Sequence, residues 1–199
     1  ISETDPLTGV LNRRGLATRW EQVLRDTVES RLPIGFIEAD IDYFKLVNDR
    51  HGHSVGDATL VAVSRALSEA VPTGTLVART GGEEFVIVRS VADVSELYRL
   101  CDELRVHVAA STGVTVSMGA VSASVSIMVG RPPAVTRDMV DELFAIADRQ
   151  LYIVKRMGRN SVSVANTDLI SGPIPNVAPG RSASWPAADI SEPLDRCPE

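Results

Sequence analysis

Four short stretches of the sequence carry side chains able to do chemistry. The first is Asp40-Ile41-Asp42-Tyr43-Phe44-Lys45, which follows the apolar run Ile34-Gly35-Phe36-Ile37. Carboxylates at a strand end supply the hard oxygen ligands that Mg²⁺ prefers. Alternate residues of a strand share a face, so Asp40 and Asp42 point the same way only while the strand persists. A solvated strand end leading into a turn explains this stretch equally well. The second is Gly81-Gly82-Glu83-Glu84-Phe85. Adjacent acids on a tight turn repel one another unless a cation is near, and glycines permit a positive φ and close approach of a ligand to the backbone. An ordinary hairpin with exposed charges is the plainer alternative.

The third stretch runs from Asn48 to Asp57. Asn48 is a donor and an acceptor, and Asp57 is an acceptor. Together they could match the N1–H, 2-amino and O6 or N7 groups of a guanine base. His51 and His53 within it make a poor zinc site, because cysteine is absent and the third histidine, His107, is remote; His53 reads as a local hydrogen-bonding residue at a helix start. The fourth is Lys155-Arg156-Met157-Gly158-Arg159-Asn160. Cations here could complement a helix dipole, or bind phosphate with lysine as a point charge and arginine as a fork.

These stretches must be held by elements that the periodicity predicts. Helices are expected over Leu16 to about Glu29, Ser54–Ala70, Val94–Val108 and Thr136–Met157, the last capped by Thr136 and ending before Gly158. Strands are expected at Ile34–Ile41, Leu76–Ala78, Phe85–Val88, Val114–Met118 and Ser161–Ala165, the last as an edge. Gly81-Gly82 marks a hairpin turn between the second and third strands. Helices interleaved with strands and a central hairpin predict an α+β sandwich of the ferredoxin-like kind.

The chain has 199 residues, 44% of them hydrophobic and 23% charged, so one packed domain is expected. Six of its eleven prolines fall between Asn166 and Glu199. The expected division is therefore a domain over 1–165 and a Pro- and Ser-rich flexible tail over 166–199. The formal net charge is −6, and the tail from 166, with five acids and two bases, carries half of it. Such a balance argues against a broad nucleic-acid or membrane-surface binder. Cys101 and Cys197 make no disulfide framework, and Cys101, among apolar residues, reads as a buried small hydrophobe. No apolar run approaches the roughly 18 residues of a membrane span. The first residue is Ile1 rather than Met, as expected of a fragment or processed chain.

Taken together and in this order, the motifs resemble the GGDEF domain of the diguanylate cyclase family, in its Gly-Gly-Glu-Glu-Phe variant. The resemblance runs from Asp5-Pro-Leu-Thr-Gly9 and Asn12-Arg13-Arg14 through the four stretches, Arg79, Ser117-Met118-Gly119 and Ala147-Asp148…Leu151-Tyr152, to about residue 165. It implies a five-stranded central sheet flanked by helices, like the palm of nucleotide cyclases. It implies condensation of two GTP into cyclic di-GMP with release of two pyrophosphates, where two such domains meet as a homodimer. It implies Mg²⁺, with Mn²⁺ as a substitute, held by Asp40, Glu83 and the carbonyl of Ile41, and Glu84 either on a second metal ion or taking the proton of the attacking hydroxyl. Gly81 and Gly82 would let the nucleotide lie across the hairpin, Asn48 and Asp57 would read the guanine, and Lys45, Lys155 and Arg159 would hold the triphosphate. Asp42 would fix the local turn. A cytoplasmic location and an upstream sensor or dimerisation domain are also implied.

One departure stands out. Many members carry an inhibitory Arg-x-x-Asp motif shortly before the signature, and its positions are occupied here by Pro72 and Thr75. Feedback inhibition through that site is therefore not expected. The competing reading is a catalytically silent member that binds GTP or a partner and regulates a neighbouring domain; such members usually lose the signature residues, which are present here.

Overall fold

A computed structural model describes residues 2–125 and 133–169. In chain order the elements are α1 (Arg13–Ser30), β1 (Ile34–Ile41), α2 (Phe44–His51), α3 (His53–Ala70), β2 (Leu76–Arg79), β3 (Glu84–Ser90), α4 (Val94–Thr112), β4 (Val116–Val125), α5 (Pro133–Arg156) and β5 (Val162–Leu169). The five strands form one sheet in the order β2-β3-β1-β4-β5. Only β4 and β5 pair in parallel; the other neighbours are antiparallel. The α+β architecture expected from the sequence is the one observed.

β1 lies at the centre and every one of its residues is buried. Its alternation divides the core between two faces. Ile37, Ala39 and Ile41 face α3 and α4 through Leu60, Val63, Leu67, Leu97, Cys101 and Leu104. Ile34 and Phe36 face α1 and α5 through Leu16, Trp20, Leu143 and Ala147. Cys101 is fully buried, and burial pushes its thiol pKa up, as suits a packing residue.

Several element bounds differ from those the sequence suggests. The stretch between Asp42 and Ser54, for which the periodicity predicts no element, contains a helix, α2, of 8 residues. Gly52 ends it and starts α3 at once, which its left-handed φ of 84° allows. β4 is longer than expected because β1 pairs along one side of it and β5 along the other. α5 begins at Pro133, a residue suited to a first helical turn, so Thr136 lies inside the helix and does not cap it. β5 runs to Leu169, past the expected boundary at 165. The remainder of the expected tail, including Trp185 and Cys197, falls outside the described residues.

Two local devices fix the region around the end of β1. Gly119 on β4 lets α5 sit directly on the sheet: a Cβ there would lie 2.1 Å from the Leu151 nitrogen and 2.2 Å from the Ala147 oxygen. The β2–β3 turn is clamped by Arg79. Its Nη2 and Nε donate to the Gly82 carbonyl at 2.7 and 3.2 Å, and its Nη1 donates to Asp5 Oδ1 at 3.1 Å. Asp5 also accepts from the Thr8 amide and hydroxyl at 2.9 and 2.6 Å. Burial would raise the Asp5 pKa, but the hydrogen bonds from Thr8 and Arg79 outweigh it and leave it lowered.

Two outcomes follow from these contacts. Gly119→Ala should cost about 1–3 kcal/mol or more in urea unfolding, because the collision is with helix backbone that cannot turn aside; an unchanged midpoint would contradict the close packing. The lowered Asp5 pKa contributes stability that is present above its ordinary value of 3.8 and lost as pH falls through the lower native value. Asp5→Asn should therefore flatten the acid limb of the stability–pH curve, and a limb as steep as the wild type's would contradict the clamp.

Candidate active site

The end of β1 gathers carboxylates around one ammonium group. Asp40 is 5% exposed. It stands opposite Glu84 on β3 and opposite Ser117 on β4. Lys155, from the last turn of α5, places Nζ 2.8 Å from Asp40 Oδ2. Glu83 lies on the clamped turn, where its carbonyl accepts from the Ile41 amide at 3.2 Å. The Thr80 amide donates to the Glu84 carbonyl at 3.0 Å and closes the hairpin.

A further acid, Glu38, lies two residues before Asp40 and thus on the same face of β1. It is 9% exposed, and its Oε2 has no hydrogen-bond partner. Burial, reinforced by Asp148 and Glu84, pushes its pKa up to about 8, with Lys155 opposing. Burial also raises the pKa of Asp40, again against Lys155, and that of Glu83, where Asp40 adds to the effect. One lysine thus answers several acids in a poorly hydrated place.

That imbalance is the test of whether a divalent cation fits. The donors are carboxylate and carbonyl oxygens, the set that Mg²⁺ takes, and a cation would offset the burial and the repulsion that raise these pKa values. The chemistry fits. Among the described residues, however, no three acidic, imidazole or thiol groups already stand at ligating distance. Asp40 Oδ2 is engaged by Lys155, so a metal ion here would either share Asp40 with the lysine or displace it.

The glycines of the turn act through space rather than through φ, since neither Gly81 nor Gly82 is left-handed. A Cβ on Gly81 would meet the Glu84 carboxylate at 2.1 Å, whereas Gly82 faces open space. The turn therefore leaves its outer surface clear for a ligand.

Asp42 does not join the carboxylate group. It accepts from Ser117 Oγ at 2.6 Å, Thr115 Oγ1 at 2.7 Å and the Asn160 amide at 3.0 Å. This is the turn-fixing role expected of it, and it ties the loop carrying Arg159 to the end of β1. Arg159 lies over the Tyr43 ring, with Cζ 4.7 Å from the centroid.

α2 leaves the same end of β1 and carries Lys45 in its first turn, exposed and without an ion-pair partner among the described residues. Asn48 follows on α2 and packs against Gly56 of α3, where a Cβ would lie 1.9 Å from Asn48 Oδ1. Gly56 is thus what brings Asn48 up to α3 beside the exposed Asp57. His51 and His53 are exposed on either side of Gly52 and belong to no metal-ligating group. The positions of the inhibitory motif form a tight turn, with the Thr75 amide 3.2 Å from the Pro72 carbonyl.

The structure thus brings Asp40, Ile41, Glu83, Glu84 and Lys155 together, with Arg159 at the edge and the Asn48–Asp57 pair on the neighbouring helices. Glu38, the Asp5–Arg79 clamp and the Tyr43–Arg159 stack were not found by sequence reasoning. The signal for Glu38 was available: an acid two residues before Asp40 in an otherwise apolar strand. Among the described residues, no helix is long and apolar enough to cross a membrane.

Comparison with known proteins agrees with this arrangement. Residues 2–161 match the family model described as diguanylate cyclase, GGDEF domain. The chain is 32% identical over 163 residues to the response regulator PleD of Caulobacter vibrioides, covering 81% of this chain and 36% of that protein. It is 34% identical over 170 residues to the diguanylate cyclase DosC of Escherichia coli, covering 83% and 35%. It therefore spans about a third of the length of these curated relatives. Among solved structures it resembles the coiled coil and GGDEF domain of DgcB from Caulobacter crescentus in complex with c-di-GMP, with TM-score 0.68, 27% identity and coverage of 82% of this chain and 85% of that one. It also resembles the active GGEEF domain of a diguanylate cyclase from Vibrio cholerae, with TM-score 0.63, 27% identity and coverage of 77% and 96%. With the signature on its clamped turn and the family match running through β1 to α5, the chain belongs to the diguanylate cyclase GGDEF-domain family.

Proposed function

We propose that this domain joins two GTP molecules into cyclic di-GMP, releasing two pyrophosphates, where two copies of it meet face to face. The observation that carries the reading is the apposition of Asp40 with Glu84 across β1 and β3, beside Glu83 on a turn whose outer surface is open. A second support is the naming of relatives such as DosC as diguanylate cyclases.

Asp40, Glu83 and the Ile41 carbonyl would hold Mg²⁺ or Mn²⁺, with Glu84 adjoining. Bound there, the ion would offset charge on the phosphate oxygens as the transfer proceeds. The rest falls to the chain's own groups. Asn48 and Asp57 hydrogen-bond the guanine edge. Lys45 and Arg159 hold the triphosphate, and Lys155 joins them when it leaves Asp40. Gly82 lets the nucleotide approach the turn closely. The 3′-oxygen of one GTP forms a bond to the α-phosphorus of the other, and the bond to pyrophosphate breaks. Glu84 accepts the hydroxyl proton. The reverse attack closes the ring. On this reading the domain would act in the cytoplasm, under an upstream unit that brings two copies together.

Copies paired through a fused dimerising helix and supplied with GTP and Mg²⁺ should form cyclic di-GMP. Glu83→Ala should lower the rate on the order of 100-fold or more. GTP binding without product in the paired wild type would favour the silent, regulatory reading instead. The Pro72–Thr75 turn has neither guanidinium nor carboxylate to hold the product there. Added cyclic di-GMP should therefore leave the initial rate without non-competitive inhibition; strong inhibition with product bound at this turn would contradict the assignment.

A further inference from the structure

The described residues contain four non-glycine positions with positive φ, and three of them meet at one place: Tyr43 at 57°, Arg159 at 66° and Asn160 at 45°. Left-handed backbone is unfavourable for such residues and persists where surrounding contacts hold it. Those contacts are present. The Arg159 amide donates to the Val154 carbonyl at 3.0 Å. The Asn160 amide donates to Asp42 Oδ2 at 3.0 Å, and Arg105 Nη1 donates to Asn160 Oδ1 at 2.9 Å. Tyr43 follows Asp42 directly and is 59% exposed.

The Arg159 side chain differs from Arg79, Arg105 and Lys155 in its partner. Arg79 and Arg105 are ion-paired, and Lys155 is engaged by Asp40. Arg159 has no carboxylate partner among the described residues; a ring face, 4.7 Å away, holds it instead. Stacking uses the flat face of a guanidinium and leaves its in-plane N–H donors free. Those donors are the ones that grip phosphate oxygens in pairs. A carboxylate partner would have consumed them.

We propose that Tyr43 is a positioning residue, whose ring holds Arg159 by its face and keeps its N–H donors open to the triphosphate of GTP. The inference rests on the GTP reading above. It concerns the aromatic face, so phenylalanine should serve at position 43 and leucine or alanine should not.

The test is equilibrium binding of GTP, guanosine and inorganic tripolyphosphate, with steady-state kinetics, for the wild type, Tyr43→Phe, Tyr43→Leu, Tyr43→Ala, Arg159→Ala and the Tyr43→Ala/Arg159→Ala double variant. Melting curves establish that each is folded. Tyr43→Phe should stay within about twofold of wild type, while Tyr43→Ala and Tyr43→Leu should weaken GTP and tripolyphosphate and raise KM about fivefold, with a smaller change in kcat. Guanosine, which has no phosphate, should bind all variants alike. The tyrosine change should add nothing once Arg159 is gone. The proposal is overturned if Tyr43→Phe loses as much as Tyr43→Ala, if guanosine weakens in parallel with GTP, or if the two single effects add in full. Tyr43-dependent tripolyphosphate binding without GTP binding would uphold the stack and overturn the GTP reading. GTP binding indifferent to Tyr43 would do the reverse, and a wild type that binds neither overturns both.

Discussion

Asp40 is buried at the end of the central strand, and among the described residues its charge is answered by a single group, the Lys155 ammonium at 2.8 Å. A carboxylate in such a place is costly unless it is paired. Here the cost is compounded, since Glu38, Glu83 and Glu84 crowd the same end of the sheet. Much of the surrounding structure serves to keep these groups together. Gly119 lets α5 settle onto β4 and so carries Lys155 to the strand end. Asp5 and Arg79 hold the turn on which Glu83 sits. Glu38 adapts in another way: burial and the neighbouring acids push its pKa up to about 8, which favours its uncharged form in the core.

The same interaction shows how an acidic domain could accommodate the anionic substrate proposed for it. A net charge of −6 excludes a broad basic surface. It leaves room for a compact site where positive charge is supplied locally. On the proposed reading Lys155 would turn from Asp40 to the triphosphate; Arg159 is held by an aromatic face, and a divalent cation fits the oxygen donors. Asp42 links these parts, since its hydrogen bonds join the end of β1 to β4 and to the loop bearing Arg159.

The fold was readable where side-chain period and strand length were clear. The apolar run into Asp40, the Gly81-Gly82 turn and the amphipathic α4 all formed close to where they were expected. α2 escaped because 8 residues give too little periodicity to stand out, and Gly52 separates it from α3 without a loop. β4 was cut short because Gly119, Ala120, Ser122, Ala123 and Ser124 are small residues with weak strand preference; pairing on both sides overrides that preference. Asp40 and the paired glutamates could be picked out, since acids bordering strands and turns are conspicuous. What Asp40 touches could not, because Lys155 reaches it across 115 positions of chain, and Tyr43 meets Arg159 across a similar gap. Those contacts arise only once α5 packs on the sheet.

The proposed function depends most directly on the carboxylates around Asp40 holding a divalent cation together with the nucleotide. Electron paramagnetic resonance of Mn²⁺, titrated into the protein with and without GTP, measures this directly. The account predicts weak Mn²⁺ binding to the protein alone, saturable and tighter binding when GTP is present, and loss of that protein-bound signal in Asp40→Ala. An Mn²⁺ signal with GTP that is the same in Asp40→Ala as in the wild type would contradict it.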